Sequence, residues 1–600
     1  MSRKLLSAGL AMALLLGITS RVGATQVPVS LTLVAKDGRP IVDSWPDSSS
    51  YHSWNMKLSI YWGEGRPTEK KQPPHEAAFK LELPDGYEGP ITFMTNYSSP
   101  EQRFEFVIDA EGKVSPHSFV MVIDGMTFKG IEGPLTTRVL VTWGPGPPAA
   151  VHGGDDKPPV AVAFEDKTGE WCGKGDGGGG TASFGDFNDD GFVDLATGSG
   201  IWLNAGGRKF RNIGGGGGAV IWGDVNNDGH LDRAQVSGPG PIRLGDGKGG
   251  FEVGPTPPGP FGAECVAASW GDIDNDGLLD IYYGGGSGHK DTLWRQDPEH
   301  EEKWVKAAEA GGAYARSVVG CDFDEDNDID FYVSNYWLVS NWLWVSDGKG
   351  GSSNRAGEFG AQGGNGHSVG ACWGDMDNDG YLDIFAGNFA HRGQPQSRFL
   401  RNTGPVGKFT FRDKGPCGVG YQESYASPTL GDCDNDGDLD LFFTTVYGHN
   451  AARLYRNNGN WSFSDVTAEA GLGGLKVSYQ AAWADVDNDG DLDLMTKGKL
   501  FINKGNENHW LKIRLKGDGK TVNTAAIGAR VRIKLGDETL TRQVEGGGVG
   551  QGNQNDLTLH FGLGRHKEKV KYEVTWTNGA KQEGETGIDR MIRVEMKTGK

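Results

Sequence analysis

One nine-residue pattern, D-x-[DN]-x-D-G-x-[LIV]-D, occurs seven times in this chain, and no other feature restricts its fold more. The copies open at Asp186, Asp224, Asp272, Asp322, Asp375, Asp432 and Asp485, spaced by 38 to 57 residues. The fourth departs once, with Asn327 in the glycine place. A recurrence of this length marks an array of like supersecondary units, each too small to bury its own apolar face.

The pattern also has a chemistry. Side-chain oxygens at positions 1, 3 and 5 point to one side of a tight loop, position 7 offers a main-chain carbonyl, and the aspartate at position 9 returns from the following strand. In the first copy these are Asp186, Asn188, Asp190, Phe192 and Asp194. The second gives Asp224, Asn226, Asp228, His230 and Asp232. The third gives Asp272, Asp274, Asp276, Leu278 and Asp280, and the fourth Asp322, Asp324, Asp326, Asp328 and Asp330. The fifth gives Asp375, Asp377, Asp379, Tyr381 and Asp383. The last two give Asp432, Asp434, Asp436, Asp438 and Asp440, then Asp485, Asp487, Asp489, Asp491 and Asp493. An all-oxygen shell of this size suits calcium, whereas zinc prefers His or Cys and magnesium a rigid octahedron with retained waters. Glycine at position 6 permits the left-handed turn around an ion. The reading is up to seven calcium ions. A metal-free acidic turn is a fair reading of one such loop and a poor one of seven, since uncompensated carboxylates would repel one another in every copy.

An EF-hand begins with the same residues but needs Glu at position 12 and flanking helices. Position 12 here holds Thr197, Gln235, Tyr283, Val333, Ala386, Phe443 and Thr496, and the flanks are β-rich. The EF-hand is excluded.

Around each loop the pattern is that of short strands. An apolar residue stands two before most loops (Phe184, Trp222, Trp270, Trp373, Leu430, Trp483), with Gly320 in that place in the fourth copy. An alternating strand follows, then segments such as RLYRNNG, then a third element clearest in FSDVTAEAGL, Phe463 to Leu472. Four short strands per unit, seven units and no helical period predict an all-β chain built on a seven-bladed β-propeller. The seventh unit stops after its third strand, while a lone strand of the fourth type, AFEDKTG from Ala163 to Gly169, precedes the first unit. That strand is expected to complete the last blade and remove its open edge.

These residues resemble FG-GAP/VCBS repeats, such as those of integrin α-chain propellers, and the resemblance implies calcium ligands at positions 1, 3, 5 and 9. From Asn508 the motifs Asn508-His509-Trp510-Leu511, Ile527-Gly528-Ala529-Arg530-Val531 and Leu559-His560-Phe561-Gly562-Leu563-Gly564 resemble the ASPIC/UnbV domain. The two in this order, over roughly residues 160–600, are similar to the cartilage acidic protein family of secreted proteins. That resemblance implies extracellular calcium binding and matrix or surface interaction, and no agreed catalytic activity.

The domain plan is then a secretory signal peptide over 1–24, with basic residues, an apolar stretch and small residues up to Ala24. A β-sandwich-like domain over 25–143, a Pro/Gly linker over 144–160, the propeller over 161–504 and an ASPIC/UnbV-like domain over 505–600 follow. The formal charge of −20 is largely concentrated in the loops, where 26 aspartates occupy positions 1, 3, 5 and 9. Seven divalent ions would offset 14 of those charges, and nucleic acid is excluded as a partner on charge. No stretch after the signal peptide is long enough to span a membrane. Six cysteines allow fifteen pairings and form no CxxC.

Catalytic motifs are weak. Gly366-His367-Ser368-Val369-Gly370 matches a nucleophile elbow, but its repeat alignment puts Ser368 on the strand entering a loop, not at a strand–helix turn. His75-Glu76 lacks the second histidine of a zinc-protease helix. The favoured reading is an exported, non-enzymatic interaction or adhesion protein that binds an extracellular protein or glycan. The alternative is a secreted polysaccharide lyase or hydrolase on a calcium propeller.

Overall fold

In the computed structural model, residues 162–597 are described apart from 174–179, 216–217, 237–240, 259–264, 301–302, 312, 537 and 549–551; before them only the backbone of strands between Thr25 and Trp143 is. The signal peptide and linker predicted at 1–24 and 144–160 lie outside the described residues. The chain divides into Met1–Gly153 and Gly154–Lys600. The first unit holds two antiparallel sheets, one of four strands that includes Thr25–Val34 and Leu135–Trp143, the other of five that includes Leu58–Trp62 and Gly89–Thr95.

The second unit is all-β but for short helical turns, and contains seven four-stranded antiparallel sheets, one per aspartate loop. In each, the first strand runs into the loop and the second leaves it, as in Ala182–Gly185 and Asp194–Thr197. The seventh sheet consists of Ala481–Ala484, Asp493–Thr496, Lys499–Asn503 and the early strand Phe164–Asp166, with Phe164 opposite Asn503. The pairing expected of residues 163–169 is therefore found, but the strand is shorter. Asp166 Oδ1 accepts from Thr168 N at 3.1 Å and Thr168 Oγ1 at 2.6 Å, which turns the chain into the helical turn Thr168–Trp171. Asp465 and Thr467 make the same pair of bonds after the strand Phe463–Asp465. The early segment is thus a displaced copy of the fourth strand with its turn.

Two devices bind neighbouring sheets. A glycine before the loop lies under the aromatic of the next sheet: a Cβ on Gly185 would sit 3.0 Å from the Trp222 ring, and one on Gly431 2.9 Å from Trp483. Gly271 meets Ile329 and Phe331 instead, so these side chains fill the space that the fourth sheet, with Gly320, leaves without an aromatic. The second device is a carboxamide ending the third strand. Asn503 Nδ2 donates to Cys433 O at 2.8 Å, Asn457 to Met376 O at 3.0 Å and Asn402 to Phe323 O at 2.9 Å. Asn204 donates to Val486 O at 2.8 Å, joining the first sheet to the seventh. First strands likewise contact their neighbours around the whole set, last to first included.

Residues from His509 onward form a three-stranded sheet, with Leu559–Gly564 and Arg590–Glu595 flanking His509–Lys516, and a four-stranded sheet centred on Arg530–Leu535 and Val570–Thr575. Its core of Leu511, Ile513, Val531, Phe561 and Trp576 is continuous with Trp222 and Trp270 of the repeats.

Candidate metal centre

Each loop is shaped by its own aspartates. In the third copy Asp272 Oδ1 accepts from Asp276 N at 3.2 Å, Asp272 Oδ2 from Gly277 N at 3.0 Å, and Asp276 Oδ1 from Leu278 N at 2.9 Å. Position 6 takes the expected left-handed conformation in all seven, from Asn327 at φ +79° to Gly437 at +102°. Position 4 is also left-handed, from Asn378 at φ +55° to Glu325 at +62°, which is why Asn recurs there. Its role is not visible in the repeat pattern. Asn227 Nδ2 donates to Gly277 O at 2.9 Å, Asn378 to Asp438 Oδ1 at 2.6 Å, Asn435 to Asp491 Oδ1 at 2.8 Å and Asn488 to Gly191 O at 2.9 Å. Position 4 therefore links each of these loops to the next.

The position 9 aspartates are buried, and in most copies both oxygens are engaged by main chain. Asp383 Oδ2 accepts from Met376 N at 2.9 Å and Oδ1 from Asn402 N at 2.7 Å. Position 3 differs. Asp274 Oδ1, Asp324 Oδ1, Asp377 Oδ1, Asp487 Oδ1 and both oxygens of Asp434 are buried with no hydrogen-bond partner. A buried acceptor left bare costs about 1–3 kcal/mol, more when charged. In copies three to seven, three carboxylates converge so that one oxygen of each lies within 4.8 Å of the others, as in Asp432, Asp434 and Asp436 or Asp485, Asp487 and Asp493. Bare oxygens facing like charges fit a hard cation.

The first two copies are built differently. Asn188 Nδ2 donates to Asp190 Oδ2 at 2.9 Å, and Asn226 Nδ2 to Asp228 Oδ2 at the same distance. A carboxamide proton there occupies the lone pair that an ion would use.

Electrostatics follow from this crowding. Burial first, then neighbouring carboxylates, hold Asp280, Asp330, Asp375, Asp383 and Asp434 well above the ordinary carboxylate range. The same causes push Asp272 and Asp324 up to about 7. Relief comes partly from basic side chains. Arg295 donates to Asp274 Oδ2 at 2.6 Å, and Arg401 to Asp377 and Asp379 at 2.7 Å.

Other relief comes from the C-terminal sheets, which cover the loop side. Lys512 Nζ donates to Asp485 Oδ2 at 2.6 Å and to Asn488 Oδ1 at 2.8 Å, with both ionic side chains almost fully buried. Arg530 lies 3.3 Å from Asp322. Gly562 N donates to Asp432 Oδ2 at 2.9 Å. A glycine-rich segment after Val544 meets the first strands: Gly546 O accepts from Trp270 N at 2.6 Å, Asp556 N donates to Trp483 O at 3.1 Å, and Gln554 bonds both main-chain groups of Trp222. Glycine is required there, because a Cβ on Gly546 would lie 2.1 Å from Trp270 O and Gly547 has φ +102°. A cavity of about 100 Å³ remains beside it, lined by Glu545, Asp556 and His560.

Of the rejected motifs, Ser368 is a fully buried strand residue that donates to Asn388 Oδ1 at 2.7 Å. All six cysteines are unpaired and five are buried, so none forms a disulfide. No described helix is long and apolar enough to cross a membrane.

Comparison with known proteins places these features. The FG-GAP-like repeat family matches residues 224–283, 322–386 and 432–496, and the ASPIC and UnbV family matches 519–598. Cartilage acidic protein 1 of Mus musculus is 27% identical over 254 residues, 40% of this chain and 38% of that protein. Its counterpart in Homo sapiens is 26% identical over 254 residues, 40% and 37% of the two chains. This chain therefore spans well under half the length of these relatives. Among solved structures, the Vibrio cholerae biofilm matrix protein Bap1 aligns over 71% of this chain and 59% of that one, at 11% identity and a TM-score of 0.24.

Proposed function

We propose that this chain, which carries FG-GAP-like repeats and an ASPIC and UnbV domain, is an exported, non-enzymatic interaction protein built on a seven-bladed calcium propeller. The observation that carries the reading is the set of bare, buried position 3 oxygens in copies three to seven. Calcium would be held there by the carboxylates at positions 1, 3, 5 and 9, and would supply the positive charge that these buried groups lack. Its role is to fix the turn between the first two strands of a blade. The first two copies, with their internal Asn–Asp bonds, take calcium weakly or not at all, so the expected stoichiometry is five. The similarity to cartilage acidic protein 1 supports a place outside the cell, and the partner proposed there is a protein or glycan. A signal peptide over 1–24 and a separate β-sandwich over 25–143 complete the reading.

Calcium titration of chelator-treated protein, followed by calorimetry, tests it. Five equivalents and a higher melting temperature are expected, because a ligand of the native state stabilises it. An unchanged transition with no bound calcium refutes it.

A further inference from the structure

The end of the sheets opposite the aspartate loops carries a second constellation. It is assembled from residues that begin first strands or follow second strands, which antiparallel pairing places together. His367 starts the strand His367–Gly374, His391 follows Asp383–Phe389, Glu423 precedes Tyr425–Gly431, and Tyr447 and His449 follow Asp440–Thr445. The Glu423 carboxylate is held at both oxygens: His391 Nδ1 lies 2.5 Å from Oε1 and His449 Nε2 3.2 Å from Oε2. All three remain accessible, with side-chain exposures of 51% for His391, 63% for His449 and 31% for Glu423.

The segment bearing Glu423 is braced on both sides. Its carbonyl accepts from Ala390 N at 2.9 Å, Tyr421 Oη donates to Ala390 O at 3.0 Å, and Ser424 Oγ donates to Asn450 Oδ1 at 2.8 Å. Aromatic rings flank the carboxylate. Buried Phe389 stands edge-on to both His391 and Tyr447, at 5.1 and 5.2 Å between centroids, and Tyr447 is 41% exposed. On the other side the rings of Tyr336 and His367 are 4.4 Å apart. Beyond them Trp337 and Leu338 are exposed at φ +69° and +58°, a left-handed conformation that bulky residues rarely adopt. Strain of this kind clusters at binding sites.

We propose that this surface is a carbohydrate-binding site in which Tyr447 and the neighbouring rings stack on the apolar face of a pyranose. Glu423 and the free ring nitrogens of His391 and His449 bond its vicinal hydroxyls. The residue types argue for that ligand class. A fixed carboxylate acceptor between two imidazoles matches adjacent hydroxyls, which each offer a donor and an acceptor. Rings beside it supply apolar area with little conformational entropy to lose. A protein anchor would instead be drawn into a desolvated pocket, whereas these groups are exposed. The opposite end is occupied by the C-terminal sheets. The inference rests on the interaction-protein reading above and specifies its partner.

The test is calorimetric titration of the full chain, calcium-loaded, with gluco-, manno-, galacto- and N-acetylglucosamine hexamers. Binding of at least one is expected, weakened tenfold or more by Tyr447→Ala and by Glu423→Gln, with the calcium-dependent melting shift unaltered in both. No binding of any hexamer at 5 mM, or binding indifferent to both substitutions, overturns the site. If zinc ions bind at Glu423 and no hexamer does, the site is overturned in favour of a metal. A calcium-dependent melting shift without hexamer binding removes only this site; hexamer binding without any calcium effect removes only the calcium propeller.

Discussion

Replacing Asp434 by Asn should stabilise the protein in chelator and destabilise it in calcium. Asp434 is 1% exposed, its two oxygens have no partner, and Asp432, Asp436 and Asp440 crowd it. Asn188 and Asn226 show what a carboxamide does at this position: it donates to the position 5 aspartate at 2.9 Å. Without metal, Asp434→Asn removes a bare buried carboxylate and adds that bond, a gain of about 1–3 kcal/mol. With saturating calcium it removes a charged ligand. A tenfold weaker site costs about 1.4 kcal/mol, and a hundredfold weaker one about 2.8. At about 2.1 cal/mol/K of unfolding entropy per residue, the unit Gly154–Lys600 shifts by roughly 1 °C per kcal/mol. Differential scanning calorimetry of wild type and variant, in EDTA and in 10 mM calcium, reads both signs. Shifts of the same sign in the two buffers refute the reasoning, because either the loop holds no ion or Asp434 does not ligate it.

Lys512→Met leaves Asp485 buried without its cation and should cost about 3–5 kcal/mol in chelator; calcium should reduce that cost, and an equal loss in both buffers by urea denaturation counts against an ion at the seventh loop. Burial raises Glu545 to about 7, so the fold accommodates its protonated form, and stability falls as pH rises from about 4.5 through 7. Because the carboxyl faces a cavity that admits water, Glu545→Gln should gain about 1–3 kcal/mol over wild type at pH 8 and little at pH 4.5; a difference independent of pH excludes this cause. Gly547→Ala places a methyl 2.5 Å from the Ile221 side chain at positive φ and should destabilise by about 2–4 kcal/mol. Limited proteolysis should then release the C-terminal sheets first, and unchanged resistance argues against their anchoring by this segment.

The aspartate pattern made the number of sheets, the strand order within each and the early strand's pairing legible, because period and phase are properties of sequence alone. The loop turns were legible too, through position 6. What stayed hidden depended on neighbours. Position 4 looked like filler in DNDG until Asn227, Asn378, Asn435 and Asn488 were seen reaching the next loop. Asn188 and Asn226 mark the first two loops as less charged in sequence alone, but that each donates to the position 5 aspartate of its own loop depends on the folded geometry. Nothing local in the glycine-rich segment after Val544 says that its carbonyls will meet Trp270. Glu423, His391 and His449 are 32 and 26 residues apart and belong to no motif.

The pairing of Phe164 with Asn503 also sets a clock. The strand that finishes the seventh sheet is made first, and its partner more than three hundred residues later, so at 5–20 residues per second it waits for roughly 17–70 s. Throughout that interval the early strand is open to any other chain, and crowding or slow delivery of the last repeat would favour its exchange between molecules. The contact that seals the finished protein is therefore the one that makes its assembly most exposed to partners of its own kind.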